Sequence, residues 1–235
     1  QSYIEFEADT VGTRHKTNIA YLISNRKFKV NDSTYTEPFK VHTISEVRII
    51  TDYSYGNHNK LIKDSVYHNG YKLLSYDKLK FKPKAITDAI AITPNAIFKD
   101  LERAYTYNQI SDLKIFKYPK ISYVEDSKDT TGQGLIATIL LTPRKKYSFS
   151  VDFDAFTSTI QQFGIGFSSS FLIRNVFKNA EILELSAKGR IGASKDAGDS
   201  ESSLFNNSDI GASMKLSFPK ILFPLKTEKF IPKYM

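Results

Sequence analysis

The sequence predicts an α+β domain with the element order β-α-α-β-β. Antiparallel strands of a transmembrane β-barrel follow it, and the barrel is incomplete within these 235 residues. Three observations carry this expectation. Residues 146–218 hold four successive segments that alternate apolar and polar side chains with period two. Residues 41–143 spell strand, helix, helix, strand, strand. No apolar run approaches the roughly 18 residues of a membrane helix, so any membrane contact comes through strands.

The alternating segments come first because they set the class. Tyr147, Phe149, Val151 and Phe153 share one face, with Ser148, Ser150, Asp152 and Asp154 on the other. Phe163, Ile165, Phe167, Phe171 and Ile173 alternate with Gly164, Gly166, Ser168 and Ser170. Leu183, Leu185, Ala187 and Ile191 alternate with Glu184, Ser186, Lys188 and Arg190. Ile210, Ala212, Met214, Leu216 and Phe218 alternate with Gly211, Ser213, Lys215 and Ser217. A strand sends successive side chains to opposite faces, so each segment has one apolar and one wet face. The length is about what a tilted strand needs to cross a bilayer. Periodicity alone also fits a soluble β-sandwich; the small and charged residues on all four wet faces favour a barrel.

The chain begins with a predicted hairpin over residues 1–30: Tyr3, Ile4, Phe6 and Ala8, a turn at Val11-Gly12-Thr13, and a return over residues 19–28. A lone hairpin is marginal in water, so it reads as the end of a preceding domain. Residues 31–40 form a polar connector. Residues 41–50 are a strand with Val47 and Ile49 on one face, and His68-Asn69-Gly70 marks a tight hairpin turn. Pro83 opens a short helix to Ile92, with Ala85, Ile86, Ala89 and Ile90 at helical spacing. Thr93-Pro94-Asn95 interrupts it. A second helix runs about residues 97–113, with Ile97, Leu101, Ala104, Tyr105, Ile110 and Leu113 as its apolar stripe. Strands over residues 120–125 and 135–141 flank a polar loop, 126–133. The domains expected are 1–40, 41–145 and 146–235. The stretch 219–235 reads as a strand end and loop. The chain starts at Gln1 without an initiator Met and reads as part of a larger protein.

Composition narrows the chemistry. The net charge is +8, but the lysines are scattered and clusters such as Arg144-Lys145-Lys146 are short, so they read as solvated faces and not as a nucleic-acid site. With no cysteine, disulfide frameworks, CxxC zinc sites and thiol catalysis are excluded. His15, His42, His58 and His68 lack metal-ligand spacing. Gly164-x-Gly166 lacks the third glycine and the helix of a dinucleotide fingerprint and reads as a bend or bulge. Asp152 and Asp154 read as barrel wall and not as an acid/base pair. Asn206-Asn207-Ser208 fits a glycosylation sequon with no other sign of one. No nucleophile–base arrangement is present, so no enzyme activity, cofactor or metal is expected.

Taken in order, these elements resemble a known family. The spacing Thr106-x3-Ile110-x2-Leu113-x2-Phe116 running into a strand resembles the second helix and second strand of a POTRA domain. The array after it resembles the opening strands of the BamA/TamA-like outer-membrane surface-antigen barrels. The segment Ile173-Arg174-Asn175-Val176-Phe177-Lys178-Asn179-Ala180-Glu181 resembles the turn between their second and third strands, departing at Lys178, where many members carry Gly. Thr157-Ser158 and the long POTRA insertion resemble the TamA-like branch of Bacteroidetes.

The resemblance implies periplasmic POTRA domains feeding a barrel in the cell outer membrane, which guides and inserts β-barrel client proteins. Its implied partners are unfolded client proteins, outer-membrane lipid and periplasmic accessory proteins, with no nucleic acid. Edge strands would take an incoming strand through main-chain hydrogen bonds. Those edges would be Ile121, Ser122, Tyr123, Val124 and Glu125 in the POTRA domain, and Tyr147, Phe149, Val151 and Phe153 as the barrel gate. Arg174, Asn175, Phe177 and Glu181 form the barrel turn motif, for which Arg174 and Asn175 predict a structural role. The alternatives are a barrel that exports or anchors a fused upstream hydrolase, and a soluble β-sandwich binding module.

Overall fold

The computed structural model describes residues 4–9, 18–157, 161–194 and 207–219. The chain divides into two compact units, Gln1–His42 and Thr43–Met235.

The described residues of the first unit form two hairpins. β1 (Ile4–Asp9) pairs antiparallel with β2 (Asn18–Ile23), and β3 (Arg26–Val30) with β4 (Ser33–Glu37). The second hairpin corrects the expectation of one returning strand over 19–28 followed by a polar connector. Asn31 and Asp32 sit at φ 48° and 65°. Two successive residues at positive φ suit a two-residue hairpin loop, and Asn and Asp tolerate that geometry. The turn expected at Val11-Gly12-Thr13 lies outside the described residues.

The second unit opens with an α+β section. Its strands are β5 (Thr43–Ile50), β6 (Asp64–His68), β7 (Tyr71–Ser75), β8 (Lys120–Glu125) and β9 (Gly134–Leu140). They lie in the order β6-β7-β5-β9-β8. The β6–β7 hairpin between β5 and the helices corrects the expected β-α-α-β-β order to β-β-β-α-α-β-β. β5 is parallel to both neighbours, while β6 and β8 are antiparallel to theirs. The β6–β7 turn uses Asn69 at φ 50° and Gly70 at φ 83°, as the Asn-Gly pair predicts. Helices α1 (Pro83–Thr87) and α2 (Asp100–Asp112) connect β7 to β8. The core includes Ile44, Val47 and Ile49 from β5, Leu73 from β7, Ala137 and Ile139 from β9, and Ile86, Ile90 and Ile110 from the helical layer. Ile44 and Val47 both point inward although three residues apart, because the pairing slips between Ile44 and Glu46.

Both helices depart from expectation. α1 ends at Thr87, yet Ala89, Ile90, Ala91 and Ile92 remain buried as irregular chain. Their backbone is satisfied by side chains: Thr106 Oγ1 accepts from Ala91 N (3.0 Å) and Ile92 N (3.2 Å), and Tyr71 Oη donates to Ile92 O (3.0 Å). That requirement turns α2. Its inward stripe is Glu102, Thr106 and Ile110, while Ile97, Leu101 and Tyr105 of the predicted stripe are exposed. A buried backbone that needs an acceptor outweighs an apolar contact here.

The second section of this unit is a four-stranded meander in the order β10-β11-β12-β13. The strands are β10 (Tyr147–Phe156), β11 (Gln161–Arg174), β12 (Ile182–Ser194) and β13 (Asn207–Ser217), each antiparallel to the next. The register aligns like with like. Phe149 faces Phe171, which faces Leu185, which faces Met214. On the other side Ser150 and Ser170 hydroxyls lie 2.9 Å apart, and those of Ser186 and Ser213 lie 2.7 Å apart. One face is therefore largely apolar, broken by Ser169 between Val151 and Ala187, and exposed among the described residues: Phe153 is 79% exposed and Ile210 88%. Gly164 and Gly166 pair in regular register, with the one pairing irregularity of β11 falling just before them, between Gln161 and Phe163. The two glycines lie opposite Phe156 and Asp154, and a Cβ at either would fall 2.5 Å from those side chains. No helix among the described residues is long and apolar enough to cross a membrane.

Candidate functional site

Two strand edges and one turn hold the sequence-predicted residues. β8 lies at the edge of the five-stranded sheet, and β10 at the edge of the meander. Each pairs on one side only among the described residues.

Hydrogen bonding in an antiparallel ladder alternates along the strand, so one bond fixes which groups face outward. Asp126 N donates to Gly134 O (2.9 Å). In that register Ser122 and Val124 bond into β9, and Ile121, Tyr123 and Glu125 turn their N–H and C=O groups to the free side. For β10, Arg174 N donates to Lys146 O (2.8 Å). Ser148, Ser150 and Asp152 therefore bond into β11, whereas Tyr147, Phe149, Val151 and Phe153 face the open edge. Their side chains also lie on the apolar face, where Tyr147 stacks on Phe171 (6.1 Å) and Phe153 meets Phe167 (5.2 Å).

The β8 edge is unevenly covered. Ile121 and Tyr123 pack against the core, and the Tyr123 ring meets Phe98 edge-on at 4.9 Å. Its hydroxyl is buried without a partner, and burial pushes its pKa up to about 12. Val124 and Glu125 are exposed.

The turn 174–181 is a built structure. Asn175 takes φ 58°, donates its side-chain Nδ2 to Lys80 O (2.9 Å), and accepts from Ala180 N (3.2 Å). Its backbone N donates to Glu181 O (2.6 Å). Glu181 Oε2 accepts from Phe177 N (3.2 Å) and Asn179 N (3.0 Å), and the residue is 1% exposed. Burial works against its charge, but these donors outweigh it and hold its pKa below the ordinary value. Arg174 braces the preceding segment by donating to Lys145 O (3.1 Å). Phe177 is exposed.

This turn does more than reverse the chain. Ala180, 1% exposed, belongs to the α+β core, and Ile182 packs against it. Lys82 N donates to Lys178 O (2.8 Å). The turn thus docks the meander onto the loop before α1. Sequence reasoning placed the turn but missed the dock. Its signal was faint: Ala180 is a lone small residue, and it takes φ 70°. Lys178 takes φ 67°, which gives a physical reason for Gly at this position in the family the segment resembles.

Among the described residues no other chemical centre stands out. Asp129 is held down to about 2 by Thr131, whose N–H and hydroxyl both donate to it, and by Gln133 and Gly134; this orders the β8–β9 loop. Asp152 and Asp154 are exposed. Among the described residues no group of His, Asp and Glu is placed to hold a metal ion.

No family model matches the chain, and no curated protein matches it. Among solved structures the chain is similar to BamA from Haemophilus ducreyi lacking POTRA domains 1-3. That likeness has 10% identity over 92% of this chain and 37% of the other, with a TM-score of 0.36. It is also similar to CdiB from Acinetobacter baumannii, at 13% identity over 66% of this chain and 39% of the other, with a TM-score of 0.38. The chain spans less than two fifths of either protein. Likenesses at this level leave the functional reading to the chain's own geometry.

Proposed function

We propose that this chain is the membrane-entry section of an outer-membrane protein of the BamA/TamA kind, which assembles or translocates β-barrel clients. In this reading the α+β section is a periplasmic POTRA domain, and the meander is the start of a barrel with its apolar face toward lipid. Clients pair by main-chain hydrogen bonds with the free edges of β8 and β10. The reaction needs no catalytic side chain, since an unpaired edge is itself a template. Backbone pairing also tolerates many client sequences.

One observation carries the reading: a meander with a broad, largely apolar exposed face is locked by its own turn onto an α+β section with an open strand edge. A soluble sandwich would cover that face with a second sheet. A barrel turned outward to lipid leaves it as it stands.

The edge is tested by proline. Glu125 is exposed and its N–H faces the free side, so Glu125→Pro blocks pairing there without removing a ladder bond. In the intact protein, client crosslinking to β8 is expected to fall several-fold. Undiminished crosslinking in a folded Glu125→Pro variant contradicts the β8 edge as a client site.

A further inference from the structure

Four segments far apart in sequence meet where the meander joins the α+β section: residues 78–84, 114–118, 142–146 and 174–180. Backbone and side-chain bonds tie them together. Lys82 N donates to Lys178 O, Asn175 Nδ2 to Lys80 O, Arg174 to Lys145 O, Arg144 N to Ile115 O, and Lys117 N to Thr142 O. The Phe81 and Phe116 rings pack at 5.0 Å beneath them. Together the four segments carry eleven Lys or Arg residues and no Asp or Glu. Lys80, Lys82, Lys117, Lys145, Lys146 and Lys178 are all exposed. Among the described residues none of these six forms an ion pair.

Exposed aromatic rings lie among these lysines. Tyr118 is 84% exposed, Phe177 is exposed beside Lys178, and Lys146 Nζ sits 5.5 Å over the Tyr147 ring. Tyr147 is also the first residue of the apolar face. The apolar strands thus give way to a zone where exposed aromatic rings and exposed cations lie side by side. That change mirrors the passage of a bilayer from acyl chains to headgroups. Nucleic acid or an acidic peptide would match the charge but gives no reason for the adjoining apolar face and the exposed rings.

We infer that this lysine belt binds the anionic headgroups of phospholipids in the leaflet on the α+β side, seating the α+β section against the membrane at a fixed height. The inference rests on the proposed lipid-facing meander. Headgroup contact here would restrain the β8 edge close to the membrane surface, where client strands enter the barrel.

The test uses the intact protein carrying Tyr118→Cys, labelled with a polarity-sensitive fluorophore; the present sequence has no cysteine of its own. It is reconstituted into vesicles of neutral phosphatidylcholine, with or without added phosphatidylglycerol, both bearing a headgroup-level quencher. Incorporation is scored separately, by flotation after an alkaline wash. The expected result is incorporation into both vesicles, with quenching several-fold stronger when phosphatidylglycerol is present and lost at high salt. The variant Lys82→Gln/Lys117→Gln/Lys145→Gln/Lys178→Gln should incorporate equally and lose the difference, each lysine contributing about fivefold or less. Equal quenching in the two vesicle types overturns the belt while leaving the meander reading intact. So does a variant that keeps the full difference, or quenching displaced by free phosphate or polyglutamate at constant ionic strength. Failure to incorporate into either vesicle overturns the membrane reading and the belt with it.

Discussion

Glu181 shows how one buried carboxylate shapes the junction. It is enclosed, yet its oxygen takes two backbone N–H groups of its own turn. Glu181→Ala leaves two part-buried donors unpaired, a loss of about 1–3 kcal/mol, read as a lower unfolding midpoint. Its pKa is lowered in the folded state, so the sign is fixed. This contribution is present in full above the ordinary Glu value of 4.5 and is lost as the pH falls through the lower folded value. The wild-type protein should therefore lose more stability on acidification than Glu181→Ala does. The residue lies in the turn, outside the proposed spanning strands. Lys178 makes the opposite case. Its φ of 67° strains an L residue by about 1 kcal/mol, so Lys178→Gly should raise the unfolding midpoint. A lower midpoint would mean that the lysine side chain holds the turn in a way its backbone does not reveal.

At the scale of elements, the two free edges differ in what they tolerate. Ser122 donates into β9, so Ser122→Pro removes a ladder bond and costs about 1–3 kcal/mol. Glu125→Pro removes none and should leave the midpoint near that of the wild type. The two substitutions thus separate loss of pairing from loss of folding, and thermal unfolding of both variants checks it. Strand 120–125 was legible from sequence to the residue, and the alternation of β10 from Tyr147 onward was legible too, because polar turns bound alternating or β-branched runs. The turn at Asn69-Gly70 was legible because few residue pairs take its geometry. β4 was missed because Asn31-Asp32 reads as a polar linker until both residues are known to take positive φ. The stripe of α2 was misplaced because Thr106 earns burial by accepting hydrogen bonds, which a hydrophobic pattern does not register. The slip at Ser45 changes which residues of β5 face the core, and alternation alone cannot register it.

Across the whole molecule, a meander and an α+β section are joined by a turn that belongs to both. The alternation of the meander was the clearest message of the sequence, and the register arranges it into one apolar and one polar face. The lysine belt was the least legible feature. Its members come from four segments, and only folding gathers them, so a scan for basic runs finds short clusters alone. The central claim is that the apolar face meets lipid and the polar face meets water. The most direct measurement is a cysteine scan along β12, an interior strand, in the intact membrane-embedded protein. Leu185→Cys, Ala187→Cys and Ile191→Cys should resist a membrane-impermeant maleimide, while Ser186→Cys, Lys188→Cys and Arg190→Cys react. Equal reaction at both parities, or the same protection in a detergent-free soluble monomer, would contradict the account.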